Sequence, residues 1–147
     1  MKRLLLTCAA LIMFTATAFA YKVGDIIEIG GDKCVVFDVT TDGQHGKAMS
    51  VSQMIYGWEQ AKELSALFVQ HGMSWRLPKI DELKIIYNKK AILNSVLTAK
   101  GYEELNDFYW SSEERNSDFS WGILMNDGGI YDGLKSNRNY VRFVSAF

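Results

Sequence analysis

A nucleophile and its base would have to come from Ser111, Ser112, Cys34, His45 and His71. A serine hydroxyl becomes reactive only beside an oriented base. Neither histidine offers one: His45 sits in the turn Asp42-Gly43-Gln44-His45-Gly46, and His71 belongs to the helix-ending pair His71-Gly72. Ser111 and Ser112 follow Tyr109-Trp110 in a strand-like run and read as turn or backbone-bonding hydroxyls. Cys34, inside Cys34-Val35-Val36-Phe37, reads as a small buried hydrophobe. One cysteine and two separated histidines give no zinc spacing. Asp118, Asn126, Asp127 and Asp132 carry oxygens but lack the regular ligand positions of a calcium loop, and Asn126-Asp127-Gly128-Gly129 reads as a turn. The sequence therefore points to no catalytic residue, no metal and no cofactor.

Two other constellations remain. In Trp75-Arg76-Leu77-Pro78, proline pushes Leu77 to extended angles and starts a new element. Trp75 and Leu77 then face a core while Arg76 points away, to carboxylate or backbone oxygens or alternatively to a ligand. Glu82 stands where a capping-box glutamate reaches back to free N–H groups, but Lys79 occupies the N-cap, so half of the box is missing. The second constellation is a surface. Trp121, Tyr131, Lys135, Asn137, Arg138 and Tyr140 gather aromatic and hydrogen-bonding groups suited to sugar stacking or protein recognition. Trp121 and Tyr140 are assigned to the core, which leaves Tyr131, Lys135, Asn137 and Arg138 as the exposed candidate ligand patch.

The elements that must position these groups follow from periodicity. Val23–Ile29 and Lys33–Val39 form a hairpin about Gly30-Gly31-Asp32, with a third strand at Lys47–Val51. A helix from about Gly57 to Gln70 puts Trp58, Ala61, Leu64, Leu67 and Phe68 on one face. Helices at Ile80–Asn88 and about Ala91–Ala99 follow, separated by a break at Asn88-Lys89-Lys90. From Asp107 the chain turns to short strands: Phe108–Ser112, Phe119–Met125, Gly129–Tyr131 and Tyr140–Val144. Tyr109 and Trp110 alternate, so one points inward and the other to the opposite face.

Residues 1–20 read as a secretory leader, with Lys2 and Arg3 before an apolar run and Ala18-Phe19-Ala20 as the cleavage site. The run is too short to span a bilayer, and Cys8 lacks the small preceding residue that lipidation needs. Removing 20 of 147 residues leaves one domain at 21–147, with a hairpin region at about 21–51. Lys plus Arg falls from 16 to 14 against 17 Asp plus Glu, a net charge of −3. That balance, with no basic block, argues against nucleic acid or an anionic membrane as partner. A lone Cys34 excludes an internal disulfide, so stability rests on packing.

Trp58-x-x-Ala61, Trp75-Arg76-Leu77-Pro78-x-x-x-Glu82-Leu83, Tyr109-Trp110-Ser111-Ser112, Trp121 and Val141-Arg142-x-Val144 occur in that order. This set resembles the DUF1566 family, also described as the Legionella collagen-like adhesin C-terminal domain. Gly43-x-His45-Gly46 is similar to versions exported by Bacteroides-type bacteria. The resemblance covers nearly all of the mature chain. It implies an α+β, C-type-lectin-like fold with an N-terminal β-hairpin, two or three helices and a C-terminal antiparallel sheet. That fold is related in shape to formylglycine-generating enzymes and to the variable receptor proteins of diversity-generating retroelements. It also implies structural roles for Trp58, Trp75, Arg76, Leu77, Pro78, Glu82, Trp110, Ser111, Ser112, Trp121 and Arg142.

The departures are specific. Lys79 replaces the family's Ser or Thr, the Glu-Pro-Asn and Trp-Asn-Asp triplets of calcium-dependent lectins are absent, and so are the paired cysteines of formylglycine-generating enzymes. The expectation is a non-enzymatic exported module, periplasmic, cell-surface or secreted. It would bind a glycan or an envelope or extracellular protein through its C-terminal loops, or alternatively serve as a structural subunit of an envelope assembly.

Overall fold

The computed structural model describes residues 19–147, so the leader assigned to residues 1–20 lies outside the described residues except for its last two positions. Strands β1 (Ile26–Ile29) and β2 (Asp32–Val39) form the expected hairpin, turned by Gly30 and Gly31 at φ 61° and 88°. Strands β3 (Gly46–Ser50) and β4 (Met54–Tyr56) follow, the latter unforeseen. Then come α1 (Trp58–Gln70), α2 (Ile80–Asn88) and α3 (Lys90–Ala99), with Lys89 as the joint between the last two. The C-terminal part holds β5 (Phe108–Glu114), β6 (Phe119–Leu124), β7 (Ile130–Leu134), β8 (Asn139–Val141) and β9 (Val144–Ala146).

The strands build two sheets, ordered β1-β2-β3-β9 and β4-β8-β5-β6-β7, with all pairings antiparallel except β5 with β8. The class is α+β. The Tyr140–Val144 run, read as one strand, is two: β8 lies in the second sheet and β9 in the first, and Arg142 stands at the crossover.

Two apolar clusters fill the interior. Alternation sends Val35 and Phe37 of β2 into the first cluster, with Leu83, Ile86 and Leu97 from the helices. It sends Cys34 and Val36 into the second, with Trp58, Trp75 and Leu77. A strand covered on both faces reads as a continuous apolar run, which is what Cys34–Phe37 is. The same holds for Tyr109 and Trp110: they point to opposite faces as expected, yet both are fully buried, one in each cluster. On α1, Trp58 and Ala61 are buried and Leu64 and Phe68 half-buried, but Leu67 is exposed. The apolar stripe of that helix is narrower than its periodicity suggests.

Candidate functional site

The separated sequence motifs meet at one junction. The backbone of Arg76 exchanges hydrogen bonds with Val144, N to O at 3.0 Å and O from N at 2.8 Å, which attaches the extended Trp75–Leu77 segment to β9. Pro78 O accepts the Ser112 N–H at 2.8 Å. The indole N–H of Trp58 donates to Ser111 O at 2.8 Å, and that of Trp110 donates to Tyr56 O at 3.0 Å. These bonds satisfy polar groups that burial would otherwise strand.

Arg76 is bidentate to Glu82 at 2.8 and 2.7 Å, and Glu82 also accepts the Lys79 N–H at 2.9 Å and the Lys47 ammonium at 3.1 Å. Burial pushes the Glu82 carboxyl up, but the Arg76, Lys79 and Lys47 donors outweigh it and hold the pKa down at about 2. The Lys79 side chain has no oxygen with which to cap α2, although its backbone O accepts the Leu83 N–H at 3.0 Å. The deficit is met from β5, where the Glu113 carboxylate accepts the Ile80 N–H at 3.1 Å.

The Ser111 hydroxyl is buried and committed, donating to Trp121 O at 2.7 Å and accepting the Glu113 N–H at 3.1 Å. Both histidines are exposed. Cys34 is inaccessible, and burial, reinforced by Asp32, pushes its thiol up to about 11. Asp127 is occupied by the Gly129 N–H (2.7 Å) and the Tyr131 hydroxyl (3.0 Å), Asn126 by the Asp107 N–H (2.8 Å) and Asp132 by Arg115. Among the described residues, no group of three or more His, Cys, Asp or Glu side chains is placed to hold a metal. No described helix is long and apolar enough to cross a membrane.

The candidate ligand patch divides. Tyr131 (48 % exposed), Asn137 and Arg138 are at the surface, but the Lys135 side chain is only 9 % exposed. It lies 4.7 Å from the Trp58 ring centroid and pairs with Glu59 at 3.3 Å and with Glu114. Hydrogen bonding to Glu114 raises its pKa. Lys135 therefore leaves the ligand patch: it clamps the β7–β8 turn to α1 and β5. Replacing Lys135 by Met is expected to lower Tm by a few degrees while ligand affinity at the patch stays unchanged, as checked by thermal unfolding beside a binding titration.

What the surface offers instead is a cleft of about 310 Å³ on the Phe108 and Trp110 face of the second sheet, towards its β7 edge, bounded by Phe108, Leu124, Tyr131, Asp132, Gly133, Asn137 and Asn139. Gly122 and Gly133 make room for its aromatic walls. A Cβ on Gly122 would fall on the Phe108 ring, and one on Gly133 would come within 2.8 Å of the Trp110 ring. Phe108 and Trp110 pack edge to face at 5.2 Å. The Tyr131 hydroxyl is held by Asp127, so the ring is presented in one orientation. The Asn137 and Asn139 side-chain amides make no hydrogen bond among the described residues, which leaves their donors and acceptors free at the rim. A smaller hollow of about 150 Å³ shares Phe108 and Asn139 and adds Asp107, Ile55, Tyr140 and Arg138, whose guanidinium donates to Ile55 O at 3.0 Å.

Sequence reading missed Phe108 and Asn139. The glycines at 122 and 133 were the usable sign, because glycine inside a strand marks a close approach. Trp121 and Tyr140, assigned to the core, are half-buried. The Arg115 guanidinium lies 5.3 Å from the Trp121 ring, and Tyr140 packs on Tyr109 at 5.5 Å.

Among curated proteins, none matches this sequence significantly. The sequence profile of the Lcl C-terminal domain matches residues 32–145, a span that contains every motif residue of the junction and the whole of the cleft. The chain belongs to the Lcl C-terminal domain (DUF1566) family.

Proposed function

We propose that this protein is an exported, non-enzymatic binding module that recognises a glycan at the cell envelope or outside the cell. The family is that of the C-terminal domain of a Legionella collagen-like adhesin, which supports an adhesin-like, binding role. One observation carries the choice of ligand. The Phe108 and Tyr131 rings flank a glycine-floored cleft rimmed by the unengaged amides of Asn137 and Asn139. Sugar rings present C–H faces that pack on aromatic faces, and hydroxyl pairs that an amide can bond through both its donor and its acceptor. Arg138, in the adjoining hollow, would bond a second residue of the chain.

The Ser111 hydroxyl is committed to Trp121 O, and burial raises the pKa of the Cys34 thiol, so neither residue is an activated nucleophile. The leader-like residues 1–20 support export.

A broad glycan array probed with wild type, followed by titration of the best binder, tests the reading. Tyr131→Ala and Asn137→Ala are each expected to weaken affinity about ten-fold, the loss of one stacking or hydrogen-bonding contact worth ~1.4 kcal/mol. Tm should stay unchanged in both, since the two residues are exposed. Absence of wild-type binding across the array would sink the glycan reading. Recovery of a protein from envelope extracts by wild type, and not by Tyr131→Ala, would replace the ligand class with a protein.

A further inference from the structure

The second sheet has two edge strands, the short β4 and the longer β7. The register of β7 against β6 sets Tyr131 opposite Gly122 and Gly133 opposite Ser120. The flanking bonds, Leu124 N to Gly129 O at 3.0 Å and Lys135 N to Asp118 O at 2.9 Å, fall on the same diagonal. Bonded pairs recur at every second residue of an antiparallel ladder. Residues 131 and 133 therefore turn their backbone groups towards β6, and Ile130, Asp132 and Leu134 turn theirs outward. Of these outward groups only Leu134 O is engaged among the described residues, by the Asn137 N–H at 2.9 Å.

The same five residues are conspicuously apolar for an edge. Ile130 is 41 % exposed, Leu134 43 % and Tyr131 48 %. Edge strands are ordinarily guarded by lysine, proline or a bulge. Strand β7 has no lysine or proline, and its register runs without a shift from Ile123↔Ile130 to Phe119↔Leu134. Its one charge, Asp132, is already paired with Arg115.

We propose that β7 pairs antiparallel with β7 of a second copy of this chain, about a two-fold axis at Asp132. In this register Ile130 lies opposite Leu134 of the second copy, twice over, so apolar side chains meet apolar side chains. Four hydrogen bonds form at once: Asp132 N–H to Asp132 O in both directions, and Leu134 N–H to Ile130 O in both directions. The two Asp132 carboxylates meet at the axis, where like charges would repel. Each brings its own Arg115, so two guanidiniums neutralise the pair. The neighbouring registers that keep outward groups facing each other set Asp132 against Ile130 or against Leu134, a charge against an alkyl group. The strand is thus complementary to itself about its own centre, which favours a second copy over a foreign extended peptide. The dimer joins two five-stranded sheets edge to edge and sets Tyr131 across from Gly133 of the second copy. The two clefts then lie on one surface, and a repeating ligand could be held at both. The dimer stands independently of the glycan reading.

Sedimentation velocity over a hundred-fold concentration range should show a reversible monomer–dimer equilibrium for the mature protein, and an Ile130→Lys/Leu134→Lys double variant should remain monomeric. Register is tested separately by cysteine cross-linking. Across the axis, bonded residues sit about 5.5 Å apart at Cα, within disulfide range. Asp132→Cys should therefore give a covalent dimer on mild oxidation and Ile130→Cys should not, with Cys34 buried and out of competition. A wild type that stays monomeric throughout, or a dimer that survives the double lysine variant, would overturn the proposal. So would cross-linking by Ile130→Cys in preference to Asp132→Cys, or an extended peptide seated on a monomeric chain.

Discussion

Arg142→Ala is expected to cost about 3–5 kcal/mol of stability, the range for stripping one side of a buried charged hydrogen-bond set. Arg142 is 2 % exposed and lies where β8 of one sheet gives way to β9 of the other. Its guanidinium donates to Ser50 O at 3.1 Å, Val51 O at 2.8 Å and Glu103 O at 2.6 Å. Among the described residues no carboxylate pairs with it. Three backbone carbonyls from two distant segments take the place of a counter-ion, and alanine would leave all three without a donor around a side-chain-sized hole. For a domain of this size the loss corresponds to a fall in Tm of roughly 10–20 °C. Arg142→Lys retains the charge but offers one nitrogen to carbonyls on two segments, so about half the loss should remain. Urea unfolding of the three proteins checks this. A midpoint for Arg142→Ala within error of wild type would remove Arg142 from its role as the tie between the sheets.

The second large effect belongs to Glu82 and depends on pH. Its folded pKa of about 2 lies below the ordinary carboxyl value of 4.5, so the folded state binds the proton more weakly than the unfolded chain. The stability this confers is fully present above about pH 4.5 and is lost as pH falls through 4.5 towards 2. A shift of this size amounts to about 3 kcal/mol at 1.36 kcal/mol per unit, and the part-exposure of Arg76 and Lys47 brings it nearer 2. Glu82→Gln keeps the shape and removes the charge. It should lose about 2 kcal/mol at pH 7 and have a flatter Tm between pH 5 and pH 2 than wild type. Parallel acid-limb slopes in the two proteins would show that other carboxylates carry the acid sensitivity.

The two residues differ in how visible they were. Local rules mark Glu82 as a helix-start residue and give Arg76 a carboxylate or backbone oxygen as one of its two readings, and the two prove to be partners six apart on either side of a proline. Local rules are silent on Arg142, which only the family resemblance marks as structural, since its three acceptors lie 39 to 92 residues away. Glu113 was equally silent. It completes the N-terminus of α2 from 33 residues downstream, repairing the cap that Lys79 cannot supply.

The candidate site shows the same division. Tyr131, Asn137 and Arg138 were singled out by residue type within a loop-rich stretch. Lys135 joins them by the same criterion, as a hydrogen-bonding group in the C-terminal loops. Its removal to the α1 interface depends on where Trp58, Glu59 and Glu114 lie, which no pattern around residue 135 encodes.

The sequence by itself determined the α+β class, three helices with their ends, the strand-rich C-terminal part and the family. These follow from periodicity, turn residues and motif order, all short-range properties of the chain. Only the tertiary structure decided that one strand run is shared between two sheets and that Tyr109 and Trp110 are both buried. It also decided that Phe108 and Asn139 complete a cleft, and that β7 is left as an open edge. Each of these depends on which face of a strand is covered, and by what. Alternation states that two faces exist, and long-range packing decides what covers each.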